Sequence, residues 1–268
     1  MEQKKTRGLE GLARAGYFAK GVVYFMVGLL AATAAFQGGT PQGNKGALEA
    51  LLHQPFGKVA LALVGLGLLG YAVWKFVQAI KDTEYKGSDV SGYIQRGGFA
   101  LSGLAHVSIA LLCAQTVLSG GGSGAGSTGN AQDATASVMN QPFGQWLVGA
   151  AGLVLVAFGL FRMSIAWNRS FKSKFHLEQM SSHEKEIAVK AGVFGIAARA
   201  VVFGLTGVFL IKAALTANPQ HAGTLQQVLK TVEQQGTWYL AVLAFGLIAY
   251  AVFQGFMARY RHIKPATA

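Results

Sequence analysis

Six long apolar segments constrain this sequence more than any other feature. They cover residues 12–36, 56–80, 94–118, 143–167, 191–216 and 238–257, and none contains aspartate or glutamate. Each is long enough to cross a hydrocarbon layer of about 30 Å as a helix that rises about 1.5 Å per residue. Backbone polar groups in a bilayer must be satisfied within the segment, and these segments are about twice as long as a barrel strand. The sequence therefore predicts an all-α membrane protein with six transmembrane helices.

The distribution of charge predicts the orientation of these helices. Charged residues make up only 13% of the 268 residues, far fewer than in a typical soluble domain. Most lysines and arginines lie in the terminal segments and the even-numbered connections, whereas the odd-numbered connections hold only Lys45, Lys58 and Lys230. Because cytoplasmic segments keep an excess of these residues, both termini are expected in the cytoplasm. The expected protein is therefore a multi-pass membrane protein in this orientation.

The net charge of +12 could also indicate a nucleic-acid partner. The positive residues are spread over juxtamembrane segments, so attraction to the anionic headgroups of membrane lipids is the simpler explanation. No nucleic-acid partner is expected, and the sequence leaves the oligomeric state open.

An internal repeat organises the six segments into three helical hairpins. Residues 53–57 and 140–144 share a Gln-Pro-Phe-Gly corner, and residues 233–236 carry an eroded copy of it. The repeats extend over residues 12–81, 94–168 and 191–260 of a single membrane domain, 1–268. Each repeat has two crossings, so all three share one orientation and can be parallel units around a pseudo-threefold axis along the membrane normal.

The first segment could alternatively be a secretory signal peptide, since Lys4, Lys5 and Arg7 precede an apolar run that ends in small residues. The same segment recurs twice inside the chain, where signal peptidase would not act. A retained first helix is therefore favoured.

The connections on the outer side predict a short amphipathic helix before each corner. Asn44, Asp133 and Thr224 are the candidate N-caps of these helices. Pro55 and Pro142 are expected to open the following span at its first turn, where a missing backbone N–H costs little.

Alignment of the repeats places polar and aromatic residues in four equivalent sets. The sets are Lys20, Ser102 and Arg199; Tyr24, His106 and Phe203; Tyr71, Phe158 and Tyr250; and Lys75, Arg162 and Gln254. Agreement at so many positions is hard to reach by chance. The sets therefore predict equivalent places in the fold.

Four cations in the cytoplasmic halves of the spans are the candidate ligand-binding residues: Lys20, Lys75, Arg162 and Arg199. A charge in the bilayer interior costs several kcal/mol on most scales, and the spans offer no acidic partner. The side chains could extend to the lipid headgroups, or they could face inward and form a basic vestibule that binds an anion. Lipid-facing side chains need not occupy equivalent positions, so the repeat predicts four inward cations at two levels.

His106 is a further candidate, as part of a proton-relay or polar site with Tyr24 and Ser102. The alternative is a neutral ring that is hydrogen-bonded to Ser102, Ser108 or a carbonyl group. His106 and Cys113 share a helix face, but two ligands do not make a metal site, so no metal is expected.

Catalytic templates do not fit this sequence. It contains no metalloprotease, serine-hydrolase or Walker motif and no pair of carboxylates inside the membrane. An enzyme is therefore not expected, and neither is a cofactor. His176 and His183 belong to the polar connection between the fourth and fifth spans and are expected to be solvated.

The segment that begins at Arg14 and ends at Tyr24, its copies that begin at Arg96 and Arg199, and the triple hairpin resemble a known family. This pattern is similar to the bacterial membrane proteins of the domain-of-unknown-function 1206 family, over nearly the whole chain. The weakest match is the third corner, which lacks Pro-Phe. The resemblance implies a six-span inner-membrane protein and implies no activity, substrate or catalytic residue.

Three hypotheses for the function follow. The first is a non-enzymatic protein that binds an anionic ligand, a lipid headgroup or a small anion, at the basic vestibule. The second is a channel or transporter with a path along the pseudo-threefold axis. The third is a scaffold or assembly subunit that recruits a cytosolic protein partner through residues 168–190.

Overall fold

The computed structural model describes residues 2–85, 87–120 and 131–262. Its α-helices in chain order are α1 (Glu2–Gln37), α2 (Asn44–Leu52), α3 (Gly57–Lys81), α4 (Val90–Ser119), α5 (Ala131–Met139), α6 (Gly144–Trp167), α7 (Ser182–Leu215), α8 (Leu225–Gln235) and α9 (Thr237–Tyr260). Six of them, α1, α3, α4, α6, α7 and α9, are long and apolar enough to cross a membrane. The predicted all-α class with six membrane-length helices is confirmed.

Helix α7 begins at Ser182, about two turns before the apolar segment that predicted it. A capping box starts it: the Ser181 hydroxyl accepts a hydrogen bond from the Glu184 backbone N–H, and the Glu184 carboxylate accepts one from the Ser181 backbone N–H. The first turns are polar, so an apolar pattern does not detect them. At about 1.5 Å per residue, α7 is about 51 Å long and extends beyond a hydrocarbon layer of about 30 Å.

The described residues include six long helices, and Arg14 near the start of α1 donates to the Ala258 carbonyl near the end of α9. We call the face of the bundle where these helix ends meet the terminal face. The short helices α2, α5 and α8 precede the corners on the opposite face, the corner face, as predicted. Thr224 caps α8, and its hydroxyl accepts from the Gln227 backbone N–H. The other two predicted N-caps are wrong, because Gly43 precedes α2 and Asp133 lies within the first turn of α5.

The Gln-Pro-Phe-Gly corner has the same backbone conformation in the first two repeats. Phe56 and Phe143 have left-handed φ angles of 59° and 60° and directly precede α3 and α6. A Cβ atom at Gly57 would collide with carbonyl oxygens at the end of α2, so the corner requires glycine there. The prediction that Pro55 and Pro142 open the following helix is wrong, because the left-handed phenylalanine separates each proline from it.

The most extensive helix contacts join one repeat to the next. They are α3 with α4, α6 with α7, and α9 with α1. Contacts within a repeat are also extensive for α1 with α3 and for α7 with α9. In the described residues, α4 and α6 of the second repeat make no comparable contact. The second hairpin is therefore open, whereas the first and third are closed.

Small residues bring the closed hairpins together. In the first repeat the Cα of Gly67 faces the methyl group of Ala19, and in the third repeat Gly246 faces Ala198 in the same way. Such pairs allow the helix backbones to approach closely, which is how helices associate in lipid.

The equivalent positions of the second repeat carry large side chains, Leu101 and Val154, which are 64% and 61% exposed. Gly98, which is equivalent to Gly16 and Gly195, has no atom within 4 Å of the place where its Cβ would lie. We call this surface, marked by Gly98, Leu101 and Val154, the open α4–α6 face.

The connection between α6 and α7 is packed and not merely solvated. Phe171, Phe175 and Met180 are buried in one cluster with Phe253 and Met257 of α9. This apolar contact holds the connection against the terminal end of α9.

Candidate anion-binding site

The four predicted cations all lie away from open solvent. Lys20 is 4% and Lys75 is 7% exposed, whereas Arg162 and Arg199 are half-buried. The two lysines therefore do not extend outward as exposed side chains. Lys75 lies over the same Tyr71 ring as Lys20, at 5.3 Å from the ring centroid, but its hydrogen bond goes to Gln78 and not to a tyrosine.

Lys20 lies among tyrosine side chains. Its Nζ atom donates to the Tyr71 hydroxyl at 3.2 Å. The same atom is 4.8 Å from the ring centroid of Tyr71 and 5.5 Å from that of Tyr250, which are cation–π distances.

Arg199 lies beside the same aromatic group. Its Nε atom donates to the Tyr24 hydroxyl and its Nη1 atom to the Tyr250 hydroxyl, each at 2.7 Å. Its guanidinium carbon is 4.6 Å from the ring centroid of Phe203. Both phenol oxygens thus accept from one planar cation.

Arg162 belongs to this neighbourhood, since it lies within electrostatic range of Arg199 and of Tyr250, Tyr71 and Tyr24. The charges of Arg162 and Arg199 both act on Lys20. We call Lys20, Arg162 and Arg199, with these three tyrosines, the central cluster. Within the described part of the chain, no carboxylate forms an ion pair with a cation of the central cluster.

Lys75 faces a carboxylate that lies just outside its span. Its Nζ atom donates to Gln78 Oε1 at 2.7 Å, and Gln78 Nε2 donates to Glu84 Oε1 at 2.8 Å. The search for acidic partners inside the spans missed Glu84 because it follows α3 in the connection. Lys75 is therefore linked to a carboxylate through Gln78.

Glu84 also binds the chain end. Arg261 donates to Glu84 and to the Tyr17 hydroxyl, and the Lys174 Nζ atom is 3.9 Å from the Glu84 carboxylate. Burial alone would raise the pKa of Glu84, but the charges of Arg261, Lys174 and Lys75 lower the pKa to about 2. We call Tyr17, Lys75, Gln78, Glu84, Lys174 and Arg261 the terminal network.

The predicted polar site around His106 is an aromatic contact. The His106 ring is 4.5 Å from the ring of Tyr71, and its Nδ1 atom is 2.6 Å from the carbonyl oxygen of Ser102. Tyr24 belongs instead to Arg199, so the structure does not bring Tyr24 and His106 into one hydrogen-bonded site. The ring of His106 is hydrogen-bonded to its own helix.

The equivalent aromatic residues pair by one rule in all three repeats. Tyr24 packs on Tyr250 at 4.9 Å, His106 on Tyr71 at 4.5 Å, and Phe203 on Phe158 at 5.0 Å between ring centroids. The pairs join α1 to α9, α4 to α3, and α7 to α6. In each pair the first long helix of one repeat contacts the second long helix of the repeat before it, and the third repeat takes that place for the first. Tyr24, Tyr71 and Tyr250 of these pairs also belong to the central cluster.

A second basic feature lies on the terminal face, where α6 leads into α7. A groove of about 520 Å³ is lined by Arg169, Lys172, Lys185, Glu186, Val189, Lys190 and Val193. Lys190 pairs with Glu186 at 2.6 Å, so the remaining cations carry the positive potential. We call it the basic groove, and it lies in the 168–190 region that was predicted to recruit a partner.

The repeat architecture agrees with comparisons to known proteins. The family described as Domain of Unknown Function (DUF1206) matches the chain three times, over residues 15–82, 97–169 and 194–261. This protein belongs to the DUF1206 family. The "Uncharacterized protein YxxB" of Bacillus subtilis (strain 168) is 34% identical over 265 residues, which cover 98% of this chain and 95% of the relative. No solved structure matches.

The DUF1206 repeat made the four cations detectable in the sequence, but it did not reveal their hydrogen-bond partners. Aligned columns identified the cations, and they also contained Tyr71 and Tyr250, whose role as hydrogen-bond acceptors was not recognised. Glu84 and Arg261 lie just outside the spans, so a search for partners within the spans could not find them. A search that extended a few residues beyond each helix end would have found both.

Proposed function

We propose that this protein is a non-enzymatic, multi-pass protein of the bacterial inner membrane that binds an anionic group at the central cluster. The observation that supports the proposal is the convergence of Lys20, Arg162 and Arg199 without a carboxylate partner among the described residues. The six membrane-length helices support the membrane location.

The charge of the cluster is only partly compensated by its tyrosines. A neutral hydrogen bond contributes about 1 kcal/mol and a cation–π contact about 0.5 to 2 kcal/mol. Burying an ion without a counter-charge costs several kcal/mol. A bound anion would supply the missing charge, and oxygens of a phosphate group suit both the forked donors of arginine and the ammonium group of lysine.

The open α4–α6 face favours a ligand that arrives from the bilayer. We infer that the three repeats surround a pseudo-threefold axis and that this side of the arrangement is left open toward lipid. Arg162 lies on α6, one of the two helices that border the open face, and is half-buried. These features favour the phosphate of a membrane-lipid headgroup over an anion from the aqueous phase.

We further infer that the terminal face is cytoplasmic. Arg169 is exposed in the connection after α6, and Lys185 lies in the first turns of α7; both are the type of residue that cytoplasmic segments retain. The ligand would then be an anionic lipid of the cytoplasmic leaflet.

Lipid retention tests the proposal directly. Native mass spectrometry of the detergent-released protein would compare phosphatidylglycerol, phosphatidylcholine and inorganic phosphate as ligands. We expect selective retention of phosphatidylglycerol, and we expect Lys20→Met or Arg199→Gln to weaken it at least about tenfold, since one charge-assisted bond is worth more than about 1.4 kcal/mol. Lys58→Met removes one exposed charge on the corner face and should leave retention unchanged.

The results of this experiment distinguish a lipid headgroup from a free anion as the ligand. Equal retention of the two lipids, or an equal effect of Lys20→Met and Lys58→Met, would contradict a specific lipid site. Binding of inorganic phosphate that depends on Lys20, without lipid retention, would support the central cluster and assign it to a free anion.

The basic groove favours a second candidate function, the recruitment of a cytosolic partner with an acidic segment. Because the connection is packed against α9 through Phe171 and Phe175, its deletion would disturb the fold, and charge reversal is the better test. We expect Lys172→Glu with Lys185→Glu to remove partners from the purified membrane complex. A partner list identical to that of the wild type would contradict this candidate.

A channel along the axis receives less support. Tyr24, His106 and Phe203 each pack against an aromatic ring of a neighbouring repeat, and a path along the proposed axis would have to pass these pairs. This packing favours a binder over an open path.

A further inference from the structure

We propose that His176, Glu178 and His262 form a binding site for a divalent transition metal ion, with zinc as the best-suited ion. The site is separate from the central cluster and does not depend on the function proposed for it. It joins the connection after α6 to the residues that follow α9.

The ligand atoms of these three side chains already lie close together. All of them are within 4.8 Å of one another, and His176 Nδ1 is 2.9 Å from Glu178 Oε1. The two imidazole rings are 3.3 Å apart between centroids, at an interplanar angle of 43°. Zinc binds imidazole nitrogen at about 2.0 to 2.1 Å and carboxylate oxygen at about 2.0 to 2.2 Å. Small side-chain rotations would therefore bring the three donors onto one ion.

The backbone holds the two histidines in place. The His176 backbone N–H donates to the Tyr260 carbonyl at 2.8 Å, and the His262 backbone N–H donates to the Lys174 carbonyl at 2.9 Å. These bonds flank an antiparallel bridge between Phe175 and Arg261. Residues on either side of such a bridge are diagonal neighbours on one face, so the imidazoles meet because of the backbone pairing.

The side chains of Phe175 and Arg261 hold the bridge against the helix bundle. Phe175 is buried, and its ring is 5.8 Å from that of Phe253 in α9. Arg261 is buried and bonded within the terminal network. Phe175 and Arg261 therefore hold the two paired segments on the bundle. The histidines alternate with them along the chain and, with Glu178, face the outer side. The backbone pairing therefore positions the two histidines before any ion binds.

The donor set also has the right chemistry. Two imidazoles and one carboxylate suit zinc and leave one tetrahedral position for water. Magnesium and calcium prefer oxygen ligands, so they fit less well. Because the ligands come from distant parts of the chain, the bound ion would connect the end of α9 to the α6–α7 connection. Binding to the folded state alone would stabilise the protein.

Zinc binding to the full-length chain in detergent tests the proposal, with an affinity tag that contains no histidine. Metal-free protein is dialysed against Zn²⁺, and the bound metal is counted by mass spectrometry. We expect one Zn²⁺ per chain for the wild type and a loss of at least about tenfold in affinity for His262→Ala and for Glu178→Gln. Bound Co²⁺ should show the visible absorption of a tetrahedral ion with nitrogen and oxygen ligands.

His183→Ala is the matched control, because His183 is exposed in the first turn of α7 and lies outside the cluster. Its zinc binding should equal that of the wild type. Zinc should raise the unfolding temperature of the wild type and of His183→Ala but not that of His262→Ala. The proposal is overturned if the wild type holds no stoichiometric zinc, or if His262→Ala and Glu178→Gln bind zinc as tightly as the wild type.

Discussion

At the scale of single residues, the molecule surrounds its buried cations with two different kinds of partner. In the terminal network the Glu84 carboxylate faces Arg261 and, through Gln78, Lys75. In the central cluster, Lys20 and Arg199 face phenol oxygens and aromatic rings. The first arrangement contains a carboxylate that three cations share, whereas the second contains no carboxylate among the described residues, so its positive charge is open to a ligand. This difference separates Lys75 from the other three predicted site residues.

Glu84 predicts that the folded protein loses stability in acid. Its ordinary pKa is 4.5, and in the fold its pKa is about 2. The ionised carboxylate therefore stabilises the fold fully above about pH 4.5, and this contribution is lost as the pH falls toward 2. The contribution is on the order of 3 kcal/mol. Thermal unfolding in detergent between pH 7 and pH 3 would measure the decline.

Glu84→Gln removes the titrating group and should make the wild-type decline shallower. It should also lower stability at pH 7, because Arg261 then lacks its carboxylate partner. Glu49→Gln is the control, since Glu49 pairs with Lys45 at 3.9 Å in an exposed pair that contributes little. An identical pH profile for the wild type and Glu84→Gln would show that Glu84 does not contribute in this way.

At the scale of helices, the size of a few side chains decides which hairpins close. Gly16 and Gly195 lie against the backbone of Tyr71 and of Tyr250, respectively. Gly98 is the equivalent residue in α4, and the space beside it is open. The same glycine thus has a packing role in two repeats and none in the third.

This contrast predicts opposite outcomes for one substitution. Gly195→Ala places a methyl group against the Tyr250 backbone and should destabilise the protein by about 1 to 3 kcal/mol. Gly98→Ala adds the same methyl group in open space and should be close to neutral. Thermal unfolding of both variants in detergent measures the difference. Equal destabilisation by the two substitutions would mean that α4 is packed against a neighbour at Gly98.

At the scale of the whole molecule, the cyclic order of contacts connects the repeats. Helix α9 packs on α1 as α3 packs on α4 and α6 on α7. The first and last long helices therefore meet, although they are at opposite ends of the chain. Arg14 strengthens this closure by donating to the carbonyl oxygens of Ala258 and Arg259.

The arrangement predicts that the two ends of α6 lie on opposite sides of the membrane. Ser137 precedes α6 on the corner face and Ser173 follows it on the terminal face, and both are exposed. In a Cys113→Ala background, Ser173→Cys should react with an impermeant maleimide only in inverted vesicles. Ser137→Cys should react only in right-side-out spheroplasts. Labelling of both cysteines from the same side would contradict the six-span topology.

The sequence by itself determined the helices and their number, because a bilayer permits few structures and an apolar segment of sufficient length must be helical. It also determined the repeat, through aligned sets that include Lys20 with Arg199 and Tyr71 with Tyr250. Only the tertiary structure decided which partners these residues meet. Tyr24 and Tyr250 join on Arg199, and His176 joins His262, because packing brings together parts of the chain that no local pattern relates. The opening between α4 and α6 was likewise decided by packing, since Leu101 and Val154 are large where the other repeats have alanine and glycine.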